Sequence, residues 1–113
     1  MLAALFQPNG GGYAATPQVV NGVQELTINV TDRGYTPSYW NVESGKPLRL
    51  RMVSDNTYSC ALAFTIPSLG IQETLPITGE RVFDLPPQPE GYLFFTCSMG
   101  MYNGTIRVEK GKA

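Results

Sequence analysis

In Gln24-Glu25-Leu26-Thr27-Ile28-Asn29-Val30 polar and apolar residues alternate from Glu25 onward, so that Leu26, Ile28 and Val30 share one face and Glu25, Thr27 and Asn29 the other. A period of two is the side-chain repeat of an extended strand, and a single apolar face marks a half-buried one. The alternation returns in Leu48, Leu50 and Met52 against Arg49 and Arg51, and in Leu62, Phe64 and Ile66 against Ala61, Ala63 and Thr65. Tyr39 to Val42, Ile71 to Ile77, Glu80 to Leu85, Gly91 to Ser98 and Thr105 to Glu109 add runs rich in β-branched and aromatic residues. Ser44-Gly45-Lys46-Pro47, Pro67-Ser68-Leu69-Gly70, Thr78-Gly79, Pro86-Pro87-Gln88-Pro89 and Asn103-Gly104 fall between the runs as turns. No segment sustains a helical period. About eight short strands at intervals near ten residues predict an all-β domain, a Greek-key two-sheet sandwich or barrel.

A chain of 113 residues makes one such domain with a single core. Its net charge of -1, with 15% charged residues, carries no basic footprint for nucleic acid or an anionic membrane surface. No apolar run approaches the roughly 20 residues that span a bilayer. Residues 1–22 are rich in Gly, Pro, Ala and Asn and read as a flexible linker or tether, with residues 23–113 as the folded domain. The bland reading of the same segment is an incidental tail. Met1 to Phe6 has neither a basic leader nor a small-residue cleavage site, so it does not read as an intact secretory signal. A linker-like start of this kind fits a domain of a membrane-associated parent, on the extracytoplasmic (periplasmic) side; a cytoplasmic location is the alternative, where two reduced thiols are at ease.

The chain has no histidine and only two cysteines. Ser-His-Asp and Cys-His catalytic arrangements and His-rich zinc sites are thereby excluded. Nothing resembles a nucleophile with its base or a phosphate-cradling loop, and the expectation is a protein that is not an enzyme. Glu73, Glu80 and Asp84 are spaced as solvated strand faces.

What remains is sulfur. The last hairpin, Gly91 to Gly104, contains Cys97-Ser98-Met99-Gly100-Met101, one thiol and two thioethers within five residues of a strand end. Cys60 stands at the start of another predicted strand, on the parity of Leu62 and Phe64; if the two strands are neighbours, all four sulfurs can meet. Soft thiolate and thioether donors select Cu(I), whereas zinc prefers four strong ligands, usually Cys and His. Fully extended, Cys97 to Met101 would span roughly 13 Å, too far for one ion. The chain must therefore fold back, with Gly100 best able to supply the unusual backbone angle. Cys97 and Met101 then converge, and Met99 points elsewhere, free to hold a second, weaker Cu(I) shared with Cys97.

Gly34-Tyr35-Thr36-Pro37, Gly45-Lys46-Pro47-Leu48, Cys60-Ala61 and Cys97-Ser98-Met99-Gly100-Met101 together resemble the cupredoxin family over about Gln24 to Lys110. The similarity is to the branch of Cu(I)-binding domains found as membrane-anchored copper chaperones and beside copper-exporting transporters. It implies a metal site at Cys60, Cys97 and Met101, with Cys97 and Met99 as a weaker one, hence one or two Cu(I) ions as cargo. The implied partner is a copper-exporting membrane transporter or another copper protein. The two histidines of electron-transfer cupredoxins have no counterpart here, which argues against a blue redox centre.

The two cysteines could form a disulfide in a metal-free interaction domain. Met99 and Met101 could be core fillers, as Met52 is expected to be. An atypical electron-transfer cupredoxin would give intense visible absorption on adding Cu(II).

Overall fold

The computed structural model describes residues 14–111. They form two packed β-sheets, with two single 3-10 turns and no α-helix among the described residues. The strands are β1 (Gln18–Val20), β2 (Val23–Thr31), β3 (Gly34–Thr36), β4 (Tyr39–Glu43), β5 (Leu48–Ser54), β6 (Ala63–Ile66), β7 (Ile71–Thr74), β8 (Gly79–Leu85), β9 (Gly91–Cys97) and β10 (Asn103–Glu109). One sheet runs β4-β10-β9-β6-β7; the other runs β1-β2-β5-β8, with β3 paired to the far end of β2. The expected all-β sandwich is thus the fold.

Alternation explains the core. Leu26, Ile28 and Val30 of β2 lie beside Leu50, Met52 and Ser54 of β5 in a parallel ladder, and the two strands turn the same face inward. Trp40 and Val42 of β4 run parallel to Ile106 and Val108 of β10 in the opposite sheet. Burying each large apolar side chain contributes about 1.5–3 kcal/mol before the entropic cost of ordering it. Gln24 is the polar exception on the β2 inner face. Its carboxamide donates to Glu43 O at 2.9 Å and accepts from Glu43 N–H at 2.7 Å, which ties the two sheets together and leaves neither group of the buried amide unpaired. On the outer face of the second sheet, Asp84 and Glu80 pair with Arg49 and Arg51, each at 2.7 Å, and Glu73 of β7 in the first sheet pairs with Arg81 of β8 at 2.8 Å. Exposed pairs of this kind contribute little to stability.

Two short strands were not expected, β1 and β3. Of the expected tether, residues 1–13 lie outside the described residues; Ala15 bridges to Trp40, and Gln18–Val20 pairs with Val23 to Glu25. A second difference bears on the candidate site. Cys60 does not begin a strand: Cys60–Leu62 is a 3-10 turn capped by Ser59, whose Oγ accepts from Ala61 N–H at 3.2 Å, and β6 starts at Ala63. The turn inverts the expected parity, so that Ala61 is fully buried and Leu62 only partly.

Candidate metal centre

β9 and β6 are antiparallel neighbours with Cys97 opposite Phe64, and the contact continues as Ser98 N–H donates to Ala63 O at 2.8 Å. The end of β9 therefore meets the start of β6, where Cys60 sits. Beneath this junction lie the fully buried rings of Phe64 and Phe95. Tyr35 packs edge-on to both, with ring centroids 5.8 and 5.4 Å away. Such pairs add about 0.5–1.5 kcal/mol beyond their burial and give the junction a stiff floor.

After Cys97 the chain reverses. Gly100 N–H donates to Cys97 O at 2.8 Å, and Gly100 takes a φ of 72°, in the left-handed region that favours glycine. The reversal aims backbone N–H groups at the Cys97 sulfur, from Met101 at 3.2 Å and Tyr102 at 3.5 Å. Cys97 Sγ stands 3.2 Å from Cys60 Sγ, and Cys60 Sγ stands 3.7 Å from Met101 Sδ. Both cysteines are free thiols, Cys97 1% exposed and Cys60 partly exposed. Met101 is 67% exposed, and Met99 stands out from the protein at 77%. Three of the four candidate sulfurs are thus brought together, and Met99 is left at the rim.

Burial pushes the Cys97 thiol up, but the Tyr102 N–H, the Cys60 thiol and the N–H groups of Met101 and Met99 together outweigh it and bring it down to about 7. Cys60 moves the other way, raised by its hydrogen bond to Cys97, by burial and by the neighbouring negative charge. One thiol of the pair is poised to ionise near neutrality, and the other keeps its proton. Burial first, then the neighbouring Cys97 and Cys60 sulfurs, push the Tyr35 hydroxyl well above its ordinary range, and it donates to Ala61 O at 2.7 Å.

Among the described residues no three His, Cys, Asp or Glu side chains gather as a metal cluster. A cation held at this junction would therefore lean on thioether sulfur, which suits a soft, low-coordinate, closed-shell ion and not zinc. The reading of the residues alone did not single out Ser59, whose side chain caps the turn that carries Cys60, although a Ser directly before a turn is a cap signal.

A family model described as a cupredoxin-like domain matches residues 4–108. No curated protein matches the chain in sequence. Among solved structures, the chain is similar to the metal-binding domain of the Cu(I)-exporting P-type ATPase CopA of Streptococcus pneumoniae with Cu(I), at 25% identity and a TM-score of 0.81, over 89% of this chain and 100% of that one. It is also similar to a copper binding protein in the apo form, at 29% identity and a TM-score of 0.80, over 88% and 100% of the two chains. A reduced auracyanin from Roseiflexus castenholzii, 12% identical with a TM-score of 0.54 over 86% and 99%, shares the fold.

Proposed function

We propose, from the premise that this chain belongs to the cupredoxin-like domain family, that it holds Cu(I) on Cys60, Cys97 and Met101 and passes the ion to a membrane copper transporter. The observation that carries the reading is Cys60 Sγ lying 3.2 Å from Cys97 Sγ and 3.7 Å from Met101 Sδ. Two structural relatives bear names that speak of copper, one of them a domain of a Cu(I) exporter, which supports both the cargo and the class of partner.

Graded exposure gives the site a direction of exchange. An incoming thiolate from a partner reaches Met101 and Cys60 first, so the neutral thioether is displaced, then Cys60, and Cys97 last from its buried position. A tether to a membrane protein on the extracytoplasmic side would keep the domain beside such a partner. The test is Cu(I) competition against a chromogenic chelator with fully reduced protein. One tightly held ion is expected, with a second, weaker one on Cys97 and Met99; a reduced sample that takes up no Cu(I) would end the proposal. Met99→Ala should lose the weaker uptake and leave the tight one unchanged in the same titration.

Metal binding strips protons from the thiols, so affinity should rise with pH. Above about pH 7 only Cys60 still has a proton to lose, because Cys97 is already ionised. Below it both must be displaced. Log affinity plotted against pH should climb with a slope near one above about 7, steepening toward two in acid. Competition titrations across pH 5 to 9 with a chelator of known proton dependence check this, and a flat profile would contradict it.

A further inference from the structure

The sheet ladder places Cys97 but not Cys60, which stands before the first residue of β6. Its position is set instead from the side, by the turn that joins β2 to β3. Thr57 Oγ1 donates to Val30 O at 2.6 Å, Tyr58 N–H to Asp32 Oδ1 at 2.7 Å, and Ser59 Oγ to Thr31 O at 3.2 Å; on the other side of Cys60, Ala61 O accepts from Tyr35 Oη at 2.7 Å. Residues 57, 58, 59 and 61 are thus each bound to a residue between 30 and 35. The turn is braced internally by Thr31 Oγ1, which donates to Gly34 O at 3.2 Å and accepts from Arg33 N–H at 3.1 Å.

The same turn grips the other half of the site. Tyr102 Oη donates to Asp32 O at 3.0 Å, and the Tyr102 ring lies flush on Gly34, where a Cβ would come within 3.0 Å of Cδ1. Tyr102 is in turn joined to Cys97 twice: its carbonyl accepts from Cys97 N–H at 3.0 Å, and its N–H faces Cys97 Sγ at 3.5 Å. Asp32 therefore receives one bond from each sulfur-bearing segment, its carboxylate from Tyr58 and its carbonyl from Tyr102. It lies 28 positions from Cys60 and 65 from Cys97 by their numbers in the chain.

We infer that Asp32 is a positioning residue that clasps the Cys60 turn to the Cys97 loop and so sets the spacing of the two thiols; the inference rests on the Cu(I) reading above. Outer groups that orient metal ligands typically change affinity by about 10- to 100-fold when removed. Asp32→Ala, which deletes the acceptor for Tyr58, should weaken Cu(I) binding by about that factor. Asp32→Asn keeps an oxygen at the same place and should bind within a few-fold of the unaltered protein.

The experiment is Cu(I) competition on the full chain and both variants, at a temperature where circular dichroism shows each fully folded. The near-ultraviolet thiolate-to-Cu(I) absorption is recorded alongside, since a merely structural role would not alter it in a folded protein. Loss in Asp32→Ala with a changed absorption band, rescued in Asp32→Asn, is the expected result. Equal affinities in Asp32→Ala and the unaltered protein, or equal losses in the two variants, overturn the clasp while leaving Cu(I) binding intact. Absence of uptake by the unaltered protein instead overturns the Cu(I) reading and the clasp with it. Should Asp32→Ala fail to fold, Tyr102→Phe removes the other arm alone; a several-fold loss then supports the clasp, and unchanged affinity overturns it.

Discussion

Cys97→Ser is expected to lower Cu(I) affinity by more than the roughly 100-fold that removal of an outer partner can cost, while leaving the domain folded. Cys97 is the innermost of the four sulfurs, 1% exposed, with Cys60 Sγ at 3.2 Å and two backbone N–H groups facing it. Serine is close in shape, and its hydroxyl can accept those N–H groups, so the loop keeps its hydrogen bonds. What is lost is the soft, ionisable donor. A hydroxyl oxygen is a hard ligand that stays protonated near neutrality, and Cu(I) discriminates strongly against it. Chelator competition with the metal-free circular dichroism spectrum as control reads the effect; near-native affinity in Cys97→Ser would remove this sulfur from the site.

Gly104→Ala should be the most damaging added methyl among the described glycines. Gly104 faces Phe95 across the β9–β10 ladder, and a Cβ built on it would overlap the Cζ and Cε1 edge of the Phe95 ring. Phe95 has nowhere to retreat, since it is fully buried among Tyr35 and Phe64. Overpacking of this kind typically costs about 1–3 kcal/mol, and here the obstacle is a rigid ring backed by two others, which puts the expectation at or above the upper end. For a domain of about 100 residues each kcal/mol lowers the melting temperature by about 4–8 °C. Thermal unfolding of the metal-free protein measures it, and a melting temperature within a degree or two of the parent would contradict the packing described. Glycine is required here by the absence of a side chain, not by a left-handed backbone.

The two expectations differ in how far they could be read in advance. That Cys97 matters follows from residue types alone: thiol and thioether donors at Cys97, Met99 and Met101, at a strand end, in a chain without histidine. Gly104 is visible in the sequence only as half of an Asn-Gly turn signal, since its proximity to Phe95 is a matter of ladder register. The strands with strong alternation, β2 and β5, were legible because burial of one face imposes period two on the residues. β1 escaped notice because all three of its residues are exposed, and β3 because three residues are too few for a period to show. The parity error at Cys60 has a local cause. The Ser59 cap winds one 3-10 turn into what reads as a continuous strand, and the side chains of Cys60, Ala61 and Leu62 are displaced from their expected faces.

By itself the sequence determined the all-β class, the inward faces of the long strands and the kind of donor available, because these depend on residue chemistry and on periodicities no longer than a few positions. The tertiary structure alone decided which sulfurs meet, which of them is buried, and that a turn bearing no sulfur holds them there. Those outcomes depend on strand order and register, and on hydrogen bonds to main-chain carbonyls of Val30, Thr31, Asp32 and Ala61, groups that every residue carries alike and that therefore leave no trace in a string of side chains.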